Sequence, residues 1–279
     1  MNKEEIKIKL KELLFESIKE EINFKNIDIK RQKIGVLFSG GIDSTLICFI
    51  LKELNIYFSC YTSGILDENL EESRDIMHSK IIAKHYNFNH KITTINIKET
   101  EKYIKKIIKL LKTDNVITIG VGLSIYKALE EAKKDNINIV FSGIGSEEIF
   151  AGYLRHKNSK NINEECRNGL NKIYERDLIR DFKIANHFNI KLKLPFLNKK
   201  LVDYALKIPG KYKIDNNIEK KILRETAFFI GLDEKFCYRK KLGAQYGSKF
   251  DRAIQKLAKI NNFKFKSEYL KNLYHKINN

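Results

Sequence analysis

Six consecutive residues, Ser39-Gly40-Gly41-Ile42-Asp43-Ser44, have the types and spacing to hold a phosphate chain. They follow a short apolar run, 34–38, and open a segment with a continuous apolar face, so they read as a turn between a buried strand and a helix. Adjacent glycines adopt positive φ cheaply, which lets backbone N–H groups turn into one concavity. Ser39 and Ser44 add hydroxyls, and the positive end of the helix points at the same mouth. Asp43 is out of place in an anion cradle unless a divalent cation bridges it to the phosphates. The spacing is neither that of a Walker A loop, which needs Lys-Ser/Thr after its second glycine, nor that of a GxGxxG dinucleotide turn.

A second glycine turn, FSGIGSEEIFAGY (141–153), follows another short apolar run and carries the carboxylates Glu147 and Glu148. Acids in the first turn of a helix answer its dipole, and alone they would mean no more than that. In an open parallel sheet, however, ligands sit beyond the carboxyl ends of the strands. Two such turns at one sheet edge would let Glu147 join Asp43 on a magnesium ion at the β and γ phosphates.

The elements that must position these turns follow from periodicity. Residues 3–22 form an amphipathic helix with Ile6, Leu10, Leu13, Leu14 and Ile18 on one face. Strands are expected at 34–38, 56–62, 91–97 and 138–142, and helices at 68–86, 101–112 and 119–133. The second strand ends in the small residues Thr62-Ser63-Gly64, which makes Thr62 a further candidate at the nucleotide. This alternation predicts an α/β fold with a parallel sheet. From Glu164 onward helical periodicity dominates, so the organisation expected is a helix (1–30), an α/β nucleotide-binding core (31–153) and a helical part completing the site (154–279).

The totals exclude several classes. The chain of 279 residues carries 53 Lys and Arg against 35 Asp and Glu, a net charge of +18. The lysines are spread along every predicted helix, which reads as a solvated surface, and nucleic acid is not expected as the principal partner. Cys48, Cys60, Cys166 and Cys237 stand singly, which argues against zinc, iron–sulfur and disulfide frameworks. No apolar run is long enough for a membrane span and no signal-peptide pattern follows the first residues, so the expected location is cytoplasmic.

SGGIDS resembles the pyrophosphate loop of ATP pyrophosphatases, and the second turn narrows the resemblance to the synthetase domain of the asparagine synthetase family, with its relatives the β-lactam synthetases. FSGIGSEEIFAGY is similar to that family's SGEGSDELFGGY. KLPFLNKKLVDYALKIP (193–209), KKILRETAFFIGLDEKFCYRKK (220–241) and the AQYGS of archaeal-type members (244–248) follow in the same order, so the match covers about 5–260. The resemblance implies an adenine-nucleotide hydrolase-like core, ATP and Mg2+, and adenylation of a small-molecule carboxylate followed by attack of ammonia or another amine. By position it implies that Leu37, Ser39, Ser142 and Gly143 hold the nucleotide, beside the loop residues Gly40, Gly41 and Ser44 and the strand-end Thr62 read above. Asp43 and Glu147 would hold magnesium, with Glu147 replacing an aspartate. Asp177 and Arg180 would line the acceptor pocket, and Lys241 would neutralise charge as the acyl-adenylate forms.

The chain departs from the family pattern at Ile144, where asparagine synthetases carry glutamate and β-lactam synthetases tyrosine. Isoleucine can neither relay a proton nor order a charged substrate. Lys191 and Asn198 also replace acids. The family's glutaminase domain starts with a cysteine after the initiator methionine, whereas Asn2 stands here, so ammonia is expected from solution or a separate glutaminase subunit. The alternatives are a tRNA-modifying ATP pyrophosphatase and a nucleotide-binding subunit without catalysis.

Overall fold

The computed structural model describes residues 2–22, 33–67, 71–215, 218–239 and 243–278. Helix α1 (Lys3–Glu21) starts at a capping box: the Asn2 side chain accepts from the first turn while Glu5 accepts from the Asn2 N–H at 3.1 Å. Strand β1 (Ile34–Leu37) runs into the first glycine loop and α2 (Ile42–Glu53). Then come β2 (Phe58–Ile65), α3 (Arg74–Tyr86), β3 (Asn89–Ile95), α4 (Ile97–Leu111), α5 (Val116–Lys134) and β4 (Ile139–Phe141). Helix α3 begins at its Ser73 cap, later than the periodicity suggests, because Ser73 and not the preceding acids accepts the Ile76 N–H. Residues 68–70 of that expected helix lie outside the described residues.

Past the second loop the chain is mostly helical. Short α6 (Ser146–Ile149) and α7 (Leu154–Lys157) lead into α8 (Ile162–Ile173), a π-helical turn (Tyr174–Leu178) and α9 (Ile179–His187). A fifth strand then appears where only helices are expected: β5 (Lys191–Lys193) pairs parallel with β4, Ile139 opposite Lys191. Its three residues, Lys-Leu-Lys, are too few to show strand periodicity, and it is held by backbone bonds such as Lys191 N–H to the Asn138 carbonyl at 2.8 Å. Lys191 thus serves the sheet edge. Next come α10 (Lys199–Ala205), α11 (Gly210–Lys213), α12 (Lys221–Ile230), α13 (Glu234–Cys237), α14 (Ala244–Gly247), α15 (Phe250–Ile260) and α16 (Lys266–Asn278). Asn198 caps α10 by accepting from Lys200 and Leu201 N–H, and it donates to Glu20 on α1.

The sheet order is β3-β2-β1-β4-β5, with every pair parallel. Helices cover both faces. One core joins α1, α2 and α12 to the sheet, and the other joins α4, α5, α15 and α16. Such strands, buried on both sides, need near-continuous apolar character, which β1 and β4 have. Leu123 on α5 is fully buried, and truncating such a leucine to alanine costs about 2–5 kcal/mol. Cys48 and Cys60, apart in sequence, face each other across α2 and β2 with sulfurs 3.4 Å apart, both as free thiols. The chain order reverses at β1, whose neighbours are β2 and β4. That reversal opens a crevice at the carboxyl ends of β1 and β4, where both glycine loops emerge.

Candidate active site

The first loop is built by its own hydroxyls. Gly41 N–H donates to Ser39 Oγ at 3.3 Å, Ser39 N–H to Ser44 Oγ at 3.4 Å, and Ser44 Oγ–H to the Gly41 carbonyl at 3.2 Å. Only one of the two glycines uses the left-handed region: Gly40 has φ +65, and Gly41, extended, opens α2 with no side-chain cap. The first amides of α2 therefore keep no intrahelical acceptor and face the cleft mouth.

The second loop is pressed against the first. A Cβ on Gly143 would stand 2.8 Å from the Cβ of Asp43, and one on Gly145 (φ +94) would strike Leu197 at 2.5 Å. The Pro195–Leu197 turn thus backs the second loop, which gives the PFL run its purpose. Ser146 Oγ–H donates to Asp43 Oδ1 at 2.5 Å, joining the two loops directly.

Between them stands Lys220, a residue to which the sequence assigns no role. Its ammonium lies 2.8 Å from both oxygens of Asp43 and 2.8 Å from Glu147 Oε1. Asp43 and Lys220 are each only 3 % exposed. Burial alone would lower the lysine pKa, but the two carboxylates hold it above its usual range. Lys220 sits in the left-handed region, φ +54, as the N-cap of α12, an unfavourable backbone for a side-chain-bearing residue and one that recurs at functional positions. Glu147 lies tight against the chain: a Cβ on Gly152 would fall 1.6 Å from its Oε2, so any larger residue there would push the carboxylate aside.

This pair of acids suits a hard divalent cation. Two carboxylates from different loops already converge on one positive group, and Mg2+ commonly takes one or two carboxylates plus phosphate oxygens. Among the described residues no three His, Cys, Asp or Glu side chains converge as an all-protein metal site would require. Two arginines, Arg224 buried and Arg239 half-buried, brace the surroundings. Arg224 donates to the carbonyls of Glu219, Cys237 and Arg239, tying the strand of chain that leads to Lys220 to the one after α13. Arg239 in turn donates to the Ser39 carbonyl at 3.1 Å. Lys241 lies outside the described residues.

The loops open on a cleft of about 810 Å³, within the usual range of ligand clefts. Leu37, Ser39, Asp43, Ser44, Thr62, Ser142, Gly143, Glu147, Asp177 and Arg180 line it, and so does Lys220; Gly40 and Gly41 form the loop behind. The Thr62 hydroxyl donates to the Phe38 carbonyl and accepts from His90 Nε2 at 2.8 Å, so it props the end of β1. Burial lowers the His90 pKa to about 4, which keeps the ring neutral. Apolar Leu37, Val121 and Ile125 face the cleft from β1 and α5, a wall suited to a flat base.

At the other end, the π-helical turn presents Glu175, Arg176 and Asp177 to the cleft, with Arg180 and Asp181 one turn on. Insertions of this kind re-aim side chains and cluster at functional sites. Ile144 packs against Ile173, Leu178 and Leu194 and gives this end an apolar floor. Glu148 is buried and pairs with Arg176; burial raises its pKa against that partner. Arg176, Asp181 and Tyr153 were not singled out by sequence reasoning, since their meaning comes from neighbours on other turns.

Comparison with known proteins agrees with this arrangement. The family model described as asparagine synthase matches residues 25–168 and 156–268. A Methanocaldococcus jannaschii protein assigned as a glutamine-hydrolysing asparagine synthetase is 30% identical over 314 residues, covering 96% of this chain and 57% of its own length. The human glutamine-hydrolysing asparagine synthetase is 30% identical over 218 residues, 74% of this chain and 38% of that protein. The chain thus spans about half the length, or less, of these curated relatives. Among solved structures, a U34-tRNA thiolase from Methanococcus maripaludis aligns at TM-score 0.43 and 12% identity, covering 97% of this chain and 79% of its own. An NMN synthetase from Francisella tularensis aligns at TM-score 0.36 and 12% identity, covering 92% and 94%. Those likenesses are too distant to carry function. The family match and the conjunction of both loops on one cleft lead to one statement: the chain belongs to the asparagine synthetase family.

Proposed function

We propose that this chain is an ATP-dependent, AMP-forming ligase that adenylates a small carboxylic acid and passes the acyl group to ammonia or another amine. The observation that carries the reading is the meeting of Asp43 and Glu147, from two separate glycine loops, on Lys220 at the switch point of the sheet. In this reading the base of ATP lies against Leu37, Val121 and Ile125. The triphosphate crosses Ser142 and Gly143, and its terminal phosphates rest on the amides and hydroxyls of residues 39–44.

The chemical obstacle is charge, because a carboxylate must approach an already anionic phosphorus. Mg2+, held by Asp43 and Glu147, would screen the terminal phosphates and make pyrophosphate a better leaving group. The residues of the chain do the rest. Lys220, released from the carboxylates it now bridges, and Lys241 supply positive charge where it develops. A carboxylate oxygen bonds to the α-phosphorus as the bond to the β-phosphate oxygen breaks, and pyrophosphate leaves into the first loop. The amine nitrogen then bonds to the acyl carbon, AMP departs with the former carboxylate oxygen, and the nitrogen loses a proton. Asp177 and Arg180 order the acid at the acceptor end.

Acid-dependent exchange of pyrophosphate into ATP tests the reading. Wild type exchanges, and Asp43→Ala lowers the rate at least about 100-fold. Exchange that persists in Asp43→Ala would remove the role given to this acid.

A further inference from the structure

The wall of the acceptor end is an alternating chain of charges. Glu148 meets Arg176, whose Nε donates to Asp177 Oδ2 at 2.6 Å. The other oxygen of Asp177 accepts from Arg180 Nη1 at 3.1 Å, and Arg180 Nε donates to Asp181 Oδ1 at 2.6 Å. Two guanidiniums are thus held between three carboxylates. Arg180 is only 6 % exposed, and each of these two edges of its fork is matched by an acid of the protein.

The rest of the cleft repeats the pattern. Its described lining holds seven carboxylates against five cationic side chains, the reverse of a chain whose net charge is +18. Each of the five already has a protein acceptor. Arg155 pairs with Glu165 at 3.0 Å, Lys220 with Asp43 and Glu147, and Arg224 with backbone carbonyls. Arg180 already spends its Nε and Nη1 on Asp181 and Asp177, so a carboxylate arriving at the far end would share this arginine with two acids of the protein and lie against both like charges. A cation meets no such obstacle, because the wall and the neighbouring Glu175 carry surplus negative charge. Ile144 offers apolar contact to whatever joins the two ends of the substrate.

We infer that the acid adenylated here is a monocarboxylate bearing a cationic amino group, and that a second carboxylate, as in aspartate, counts against a substrate. The inference rests on the adenylation reading above and adds to it the class of the acceptor. The reactive carboxylate lies toward Lys220 and the α-phosphate, and the ammonium lies toward Asp177.

The test is acid-dependent pyrophosphate exchange by the whole chain with Mg2+ and ATP, using acids matched in length. 3-Aminopropanoate is compared with L-aspartate, and 4-aminobutanoate with L-glutamate; each pair differs by one carboxylate. Propanoate and succinate, which lack the amino group, serve as the singly and doubly negative references. The amino monocarboxylates should exceed their dicarboxylate partners at least ten-fold in kcat/KM. Asp181→Ala frees one edge of Arg180 and should move that ratio at least five-fold toward the dicarboxylates, a gain that only folded protein can show. Asp181→Asn, checked by circular dichroism, makes the same test with less change of shape. Aspartate or succinate performing as well as the amino monocarboxylates would overturn the inference while upholding adenylation. So would a ratio unmoved in both folded variants. If no acid supports exchange while Mg2+ and ATP still bind, the adenylation reading itself falls and the inference with it.

Discussion

The two ends of the cleft use buried ion pairs in opposite ways. At the phosphate end, one lysine holds two carboxylates that came from different loops, and both partners have another use once a nucleotide and its cation arrive. At the acceptor end, two arginines are locked among three acids, Asp177 and Asp181 beside them in the chain and Glu148 from α6. In the function proposed above the first arrangement is exchangeable, since a divalent cation would replace the ammonium and release it toward the phosphates. The second is closed, and its surplus acid selects among ligands. Burial makes both costly to break from one side only, so the difference lies in what is offered as a replacement.

The largest effect that would break this contrast comes from Lys220→Met. Without Mg2+, buried Asp43 and half-buried Glu147 would lose the ammonium that stands between them, and stability should fall by about 3–5 kcal/mol. Added Mg2+ should raise the melting temperature of this variant more than that of wild type, while exchange stays at least about 100-fold down. A melting temperature indifferent to Mg2+ would mean that these acids do not take a divalent cation. A smaller effect is expected from Gly152→Ala, whose Cβ would overlap Glu147 Oε2 and force the carboxylate away from Lys220. Exchange should drop about 10–100-fold, as for other losses of ligand positioning, with a higher Mg2+ requirement. An unchanged Mg2+ dependence would detach Glu147 from the metal.

The smallest effect separates the ends by pH. His90 at the phosphate end and His156 beside Tyr153 are both lowered by burial to about 4, from an ordinary 6.5. His156 Nδ1 accepts the Tyr153 N–H, so its proton sits on Nε2, which is buried without a partner. Below pH 6.5 the unfolded chain gains protons that the fold refuses until near pH 4. Stability from these rings is therefore full above 6.5 and declines as pH falls through that window. Melting temperatures measured from pH 7 to 5 should fall less steeply in His90→Gln and in His156→Gln than in wild type. Equal slopes in all three proteins would show that these rings take up protons in the fold as readily as in the unfolded chain.

Much of the phosphate end was legible before any fold was known. Ser39, Gly40, Gly41 and Ser44 shape their turn through bonds no longer than five residues in sequence, so residue type and spacing suffice. The same holds for Asn2 and Glu5 at the start of α1. The pairing of Asp43 with Glu147 was readable from two similar turns, given a parallel sheet. Lys220 was not, because it lies 177 residues beyond Asp43 and depends on a left-handed backbone at a non-glycine position. Strand β5 escaped notice because three residues carry no period. The charged wall was invisible because Asp177 and Arg180 read as an ordinary helical pair, and only the π-helical turn brings Arg176 and Glu148 into line with them.

What residue order alone determined, then, was the local build of the site: two glycine turns, each with an acid in place. Turn geometry and helix ends depend on groups a few bonds away, and these were written side by side. The packing of distant segments decided the rest: which cation stands between the loop acids, and which cations at the far end are already taken. A long charged side chain takes whatever partner the folded core sets within its reach, and that partner is chosen by burial in three dimensions, not by nearness along the chain.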